Sequence, residues 1–385
     1  MEPSYAKFRE VRFFGSLDGL RALSIIGVIW FHSWWGTPYY SRLESMPVLR
    51  QGSYGVHIFF VVSGFLITTL LLRERDRYGT ISLRDFYIRR ALRIWPLYYA
   101  VLLFYVLNAL VFERGTVRAH SFLHYLPSFA TFTYTWFISS KWPGGMFNLA
   151  WTLSTEEQFY FFWPFALRLL RGLRSSALIL GIIAIKMAAD HHLTDRFLPP
   201  GWLPTRIVLS VSVAICMGVL LAQALHSPAG FKILGRIFGW KAAAPVMLAA
   251  MFLCLAPAHP TMFLAYLATA GLVAACVVRE DNGLAGLLRL RPVAFMGMLS
   301  YGMYLMNSVS IHAVHFVLAR LGSEFPPLIF VLALGLAVCG AYLSYRYYES
   351  PFLRLKNRFS RLRTSIVPQL QDESSSSGTP APVHP

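Results

Sequence analysis

Apolar stretches long enough to cross a lipid bilayer recur from one end of this 385-residue chain to the other, and they limit its fold more than anything else in it. A helix needs about 20 such residues to cross the hydrocarbon core. Clear stretches fall at 17–36, 54–72, 94–112, 206–225, 261–278, 294–318 and 328–346. Shorter or interrupted ones fall at 151–170, 175–189 and 243–257. One more, 122–138, is broken by His124, Pro127 and several threonines. Only 14% of residues are charged, against 56% apolar, where a soluble domain carries about 25% charge. Such a chain cannot cover a surface in water, and the same composition excludes disorder, collagen and a disulfide scaffold. The expected fold class is an all-α integral membrane protein, a bundle of about ten transmembrane helices.

Basic residues orient the bundle. The formal charge is +17, from 35 Lys and Arg against 18 Asp and Glu. With both termini cytoplasmic and 122–138 not spanning, 25 basic residues lie on the cytoplasmic side and seven outside, as the positive-inside rule requires. A spanning 122–138 would invert every later loop, so that segment is expected to be re-entrant or interfacial. These loops suit anionic lipid rather than nucleic acid, since no basic patch is interleaved with aromatics. Cys216, Cys254, Cys276 and Cys339 lie inside apolar stretches at no metal-ligand spacing, and read as packing residues. The first stretch carries Asp18 and Arg21 with no small-residue cleavage site after it, so it reads as a retained span. Residues 82–93 start at Ser82 and Asp85 like a capping box and alternate apolar residues with arginines. They are expected to form a separate short amphipathic helix on the membrane surface before the third span. Residues 1–363 are expected to form the transmembrane domain, and 364–385, rich in Ser and Pro, a disordered cytoplasmic tail.

Ionisable residues at membrane depth cost about 2.5–3.5 kcal/mol on insertion scales, so each needs a reason. Arg21 and His32 are three helical turns apart, on one face and roughly 16 Å apart, with Asp18 near the same stripe. The functional reading is an anion contact at one end of a channel and a general base at the other, since imidazole titrates near working pH. The structural reading is a snorkelling Arg and a His bonded between helices. In Trp151–Tyr160, Ser154 and Glu157 fit a capping box, which leaves Glu156 on a face with Thr152 and Tyr160 to orient His32. The alternative is a carboxylate held by the helix dipole. Arg89, Arg90 and Arg93 form a tight cationic face suited to phosphate or diphosphate, or else a membrane anchor. Ser63-Gly64 reads as a site of close helix packing, and Ser63 lacks the strand–turn–helix elbow of nucleophilic serines. In the ninth stretch Tyr301, Ser308, His312 and His315 share a face, lining a polar cavity or bonding between helices. His120, His124, His191 and His192 match no strong zinc motif, and no metal is expected.

Together these segments resemble the acyltransferase-3 family of integral membrane proteins. The matching text is SLDGLRALSIIGVIWFH (16–32), GVHIFFVVSGFLIT (55–68), FYIRRALRIWPLYY (86–99), WTLSTEEQFY (151–160), SYGMYL (300–305) and YESPF (348–352). Each is modest alone, but in this order and spacing they are specific. The resemblance implies about ten spanning helices and transfer of acyl groups, mostly acetyl, to sugar or other hydroxyls. It places the family's arginine–ten–histidine motif on Arg21 and His32, its paired arginines on Arg90 and Arg93, and its tryptophan–glutamate motif on Trp151 and Glu156. His32 is then the catalytic base. Glu156 holds the imidazole, and Arg21, Arg89, Arg90 and Arg93 bind the donor, a cytoplasmic acyl-coenzyme A such as acetyl-CoA. Trp151, Tyr160, Tyr304 and Asn307 are expected to bind substrate. Two positions depart from the family: Asn307 stands where a His is usual, and Thr152 where Ser is commoner. Some relatives carry an added extracytoplasmic esterase-like domain, and none is read in this chain.

The expectation is a multi-pass protein of the bacterial inner membrane that moves an acyl group from cytoplasmic acyl-CoA to a surface polysaccharide or lipopolysaccharide hydroxyl, with no permanently bound cofactor. A macrolide or another small glycoside is the alternative acceptor. The rival class is a transporter or flippase of a lipid-linked or small anionic solute, because buried Arg, His and Glu also mark transport pathways.

Overall fold

The computed structural model describes residues 4–11, 13–137, 145–257 and 259–359, and the expected tail at 364–385 lies outside them. The described residues form helices and turns with no strand. A helix satisfies its backbone hydrogen bonds within its own segment, which the bilayer demands. Helix α1 (Tyr5–Glu10) is capped by Ser4 and leads to α2 (Gly15–Trp34). Next come α3 (Tyr40–Glu44), a 3-10 turn (Leu49–Tyr54), α4 (Gly55–Tyr78) and α5 (Leu83–Val111). Three short helices follow, α6 (Val117–His124), α7 (Leu126–Ala130) and α8 (Tyr134–Phe137). Then come α9 (Ala150–Leu169), α10 (Leu173–Asp190), α11 (Leu203–Ser210) and α12 (Val213–His226). They are followed by α13 (Pro228–Phe238), α14 (Ala243–Leu255), α15 (Met262–Val278) and α16 (Ala285–Leu288). The last are α17 (Arg291–Arg320) and α18 (Pro326–Leu343), which runs through a π-helical turn (Ser344–Glu349) into α19 (Ser350–Asn357).

Each of the ten expected stretches falls on a helix or a bent helix pair. Among the described residues four helices suit a full crossing by length and composition: Leu49–Tyr78, Leu83–Val111, Arg291–Arg320 and Pro326–Lys356. The pairs α11–α12, bent by 54°, and α13–α14, bent by 79°, raise the count to six if each is one span. The doubtful segment 122–138 breaks, over its described residues, into parts of α6, α7 and α8, each too short to cross. Rows of exposed apolar side chains, Leu103, Leu107 and Leu110 on α5 and Phe161, Phe162 and Phe165 on α9, face outward. In water they would be aggregation patches; they are the lipid-facing surface of an integral membrane protein.

Helix α4 lies at the centre, 72% buried over its apolar window against 22% for α18. Its crossing with α12 depends on two glycines. A Cβ on Gly64 would stand 2.2 Å from the Ile215 carbonyl oxygen, and one on Gly218 would stand 2.1 Å from that of Val61. This is the close packing expected at Ser63-Gly64.

Two local expectations are corrected. Residues 82–93 are not a separate surface helix; they form the first turns of α5, which runs unbroken through Pro96. Nothing between Arg93 and Ile94 breaks the helix, and the disturbed turn is braced. Tyr301 donates its hydroxyl to the Ile94 carbonyl at 2.6 Å, and Tyr348 to that of Pro96 at 3.1 Å. The expected Ser82 cap is present, its side chain accepting from the Asp85 amide. The Ser154–Glu157 capping box is absent, because α9 starts at Ala150 and Ser154 sits fully buried inside it.

Candidate active site

Helix α2 joins two cavities. Near its C-terminal end His32 lines a cavity of about 1880 Å³, with Trp35, His57 and Phe60, Trp151 of α9, and Tyr304, Asn307, His312 and His315 of α17. Nearer its start, Asp18 and Arg21 line a pocket of about 200 Å³ with Ser63, Arg73, Arg90, Arg93, Thr152, Glu156, Tyr160 and Tyr301. Val56, Phe60 and Tyr304 line both, so they form the partition. The three-turn spacing of Arg21 and His32 thus places a guanidinium in the small pocket and an imidazole in the large cavity.

His32 is held by its own helix. Its Nδ1 lies 2.8 Å from the Val28 carbonyl oxygen. A carbonyl only accepts, so Nδ1 donates and the neutral ring keeps its lone pair on Nε2. Trp35 stacks alongside, 5.9 Å between centroids. Glu156 does not orient this ring. It lies in the small pocket, facing the hydroxyls of Ser63 and Tyr160 and the charges of Arg90 and Arg21.

The small pocket is strongly cationic. Arg21 pairs with Asp18 at 3.4 Å. Arg90 lies over the Tyr160 ring at 5.0 Å and the Phe86 ring at 5.8 Å and lines the pocket. Ser63 Oγ and the Tyr160 hydroxyl are 2.8 Å apart. Arg73 donates to the Phe8 and Val11 carbonyls and lies between the rings of Phe8 and Phe14, so it anchors the N-terminal segment. Arg89 is not with the other arginines. It reaches Glu74 at 3.3 Å and the Phe359 carbonyl at 2.7 Å, tying α4 and α5 to the C-terminal segment. Of the three arginines in 89–93, Arg90 and Arg93 line the small pocket and Arg89 does not. Of the expected substrate residues, Trp151 and Asn307 line the large cavity, Tyr160 the small pocket and Tyr304 both. The face expected on α17 divides likewise: Ser308, His312 and His315 open into the large cavity and Tyr301 into the small pocket.

The family model described as an acyltransferase domain matches residues 14–346. The chain belongs to the acyltransferase-3 family. YrhL of Bacillus subtilis strain 168 is 29% identical over 373 residues, covering 90% of this chain and 56% of its own length. The peptidoglycan O-acetyltransferase OatA of Listeria monocytogenes serovar 1/2a is 28% identical over 361 residues, covering 87% and 55%. The protein SAR0937 of Staphylococcus aureus MRSA252 is 25% identical over 412 residues, covering 95% and 61%. The chain thus spans little more than half the length of these relatives. No solved structure matches it. In this acyltransferase-3 chain the motif residues divide between the two cavities: Arg21, Arg90, Arg93 and Glu156 around the small one, His32 and Trp151 around the large one.

Three parts of the site were not legible from spacing or composition. Ser63 and Tyr160 meet across 97 residues of chain. Thr152 Oγ1 lies 2.7 Å from the Tyr304 hydroxyl, pinning the partition. Lys186, paired with Asp190 one turn on, lines the large cavity; spacing alone makes that pair look like an ordinary surface contact.

Proposed function

We propose that the protein is a membrane-embedded O-acyltransferase that carries an acyl group, acetyl foremost, from cytoplasmic acyl-CoA to a hydroxyl of an extracytoplasmic carbohydrate. The observation that carries this reading is α2, with Arg21 in a small cationic pocket and His32 in a large open cavity beyond a three-residue partition. On this reading residues 1–363 are a transmembrane domain of ten spans in the bacterial inner membrane, with both termini cytoplasmic. The small pocket then faces the cytoplasm. Arg90 and Arg93 hold the donor's phosphate groups, for which planar guanidinium donors are well suited. Arg21, in the same pocket as the partition residues, polarises the thioester or contacts the pantetheine arm. The acyl end passes Tyr304 toward His32, whose Nε2 takes the proton of the acceptor hydroxyl as its oxygen attacks the carbonyl carbon. The carbon–sulfur bond breaks and its electron pair leaves on coenzyme A.

Trp35, Trp151, Tyr134 and Tyr266 around the large cavity offer stacking faces for sugar rings. The relative OatA is named for peptidoglycan, and we infer an acceptor of that class, a cell-envelope glycan. The change in size from about 1880 to about 200 Å³ at the partition favours transfer over passage of a whole solute.

Reconstituted vesicles test this, with labelled acetyl-CoA on the small-pocket side and peptidoglycan fragments on the other. The expected result is label bound covalently to the fragments. Unmodified solute crossing the membrane, with no labelled ester, rejects the enzyme in favour of the transporter. Label on a macrolide but not on glycan overturns the acceptor class alone.

A further inference from the structure

His32 is not the only imidazole poised in the large cavity. His312 on α17 opens into the same space and is exposed within it. It is fixed as His32 is: its Nδ1 lies 2.6 Å from the carbonyl oxygen four residues earlier, that of Ser308, with Ser308 Oγ at 3.4 Å. Both rings therefore donate through Nδ1 to their own helix and present Nε2 as the free base. The two rings lie near enough to interact electrostatically across the cavity. Helices α2 and α17 pack extensively, so the two rings are carried on one rigid pair of elements. The other two histidines of these helices and their neighbour α4 are placed differently. His57 packs against the rings of Tyr54 and Tyr266, each at 5.1 Å, and its buried Nδ1 has no partner among the described residues. The buried Nε2 of His315 likewise has none among them. Asn307, where the family usually carries a histidine, is 3% exposed and lines the same cavity, and an amide cannot take a proton from imidazolium.

We propose that His312 is a proton relay for His32, which rests on the acyl-transfer reading above. The proton leaves the acceptor hydroxyl for Nε2 of His32 as the oxygen–acyl bond forms. It then moves to Nε2 of His312 and from there to the solvent of the large cavity. The thiolate released by carbon–sulfur cleavage takes its proton from water on the small-pocket side. His32 returns to its neutral form each turnover without opening its own half-buried site.

The experiment uses the full chain in detergent or vesicles with labelled acetyl-CoA and soluble peptidoglycan fragments. In His312→Ala, kcat is expected to fall about 100-fold while the KM values for both substrates stay within about twofold. Added imidazole is expected to restore turnover, with a rate that follows the pKa of a series of substituted imidazoles. His312→Gln fills the space and keeps a donor, and is expected to be as slow and not rescued. Wild-type turnover in His312→Ala overturns the relay. So does a loss that imidazoles do not restore, or one confined to KM. The wild type supplies an arm independent of folding: a bowed rate profile in mixtures of light and heavy water supports two protons in motion, and a linear one overturns it. A wild type that forms no ester under conditions where its fold is intact rejects the acyl-transfer reading itself, and the relay with it.

Discussion

A carbonyl four residues back on the same helix does for His32 what a carboxylate does in many hydrolases, fixing which nitrogen carries the proton. Because that support is local, the ring can be removed without unravelling its surroundings. His32→Ala is expected to keep a wild-type melting profile and lose about 10²–10⁴ in transfer rate; a variant that turns over normally rejects His32 as base. The arginines should separate in the same way. Arg90→Ala and Arg93→Ala are expected to raise the KM for acyl-CoA at least about tenfold with acceptor KM unchanged. Arg89→Ala should leave donor KM near wild type but lower stability by about 3 kcal/mol, because Glu74, 2% exposed, loses its charge partner. Thermal unfolding beside donor kinetics checks both. The sequence placed Arg21 and His32 on one stripe because helical periodicity is a local rule. It did not separate Arg89 from Arg90, since the partner that removes Arg89 lies on α4, 15 residues away.

Between α4 and α12 there is no room for a side chain at Gly64. Gly64→Val is expected to force these helices apart, costing at least about 1–3 kcal/mol, and to displace the neighbouring Ser63 from Tyr160. The readouts are the melting temperature in detergent and the yield of monodisperse protein. An unchanged melting temperature would mean the crossing is looser than drawn. The positions of most helices follow from hydrophobic runs alone, whereas their ends do not. The segment 82–93 looks like a surface helix because its arginines alternate with apolar residues, yet α5 simply continues into the apolar stretch with tyrosine hydroxyls bracing its proline turn. Ser154 looks like a cap because a carboxylate follows three residues later, but the preceding residues Ala150–Leu153 already wind into α9. Local patterns name an element, and packing partners decide where it begins.

Across the whole molecule, exposed leucine and phenylalanine side chains fix a lipid environment, while the distribution of basic residues is the ground for the proposed direction. In a cysteine-free background, Arg77→Cys in the last turn of α4 is expected to react with an impermeant maleimide only from the cytoplasmic side. Arg114→Cys in the turn after α5 should react only from the opposite side, and the reverse pattern would invert the proposed topology. On the acyl-transfer reading proposed above, the small pocket beside Tyr304 gauges the donor's acyl chain: butyryl-CoA and longer homologues are expected to show at least about tenfold lower kcat/KM than acetyl-CoA, and equal turnover of a long-chain donor would refute that gauge. On the same reading the larger cavity around His32 imposes no such gauge, so mutational drift in its lining retargets the acceptor while the donor chemistry stays frozen.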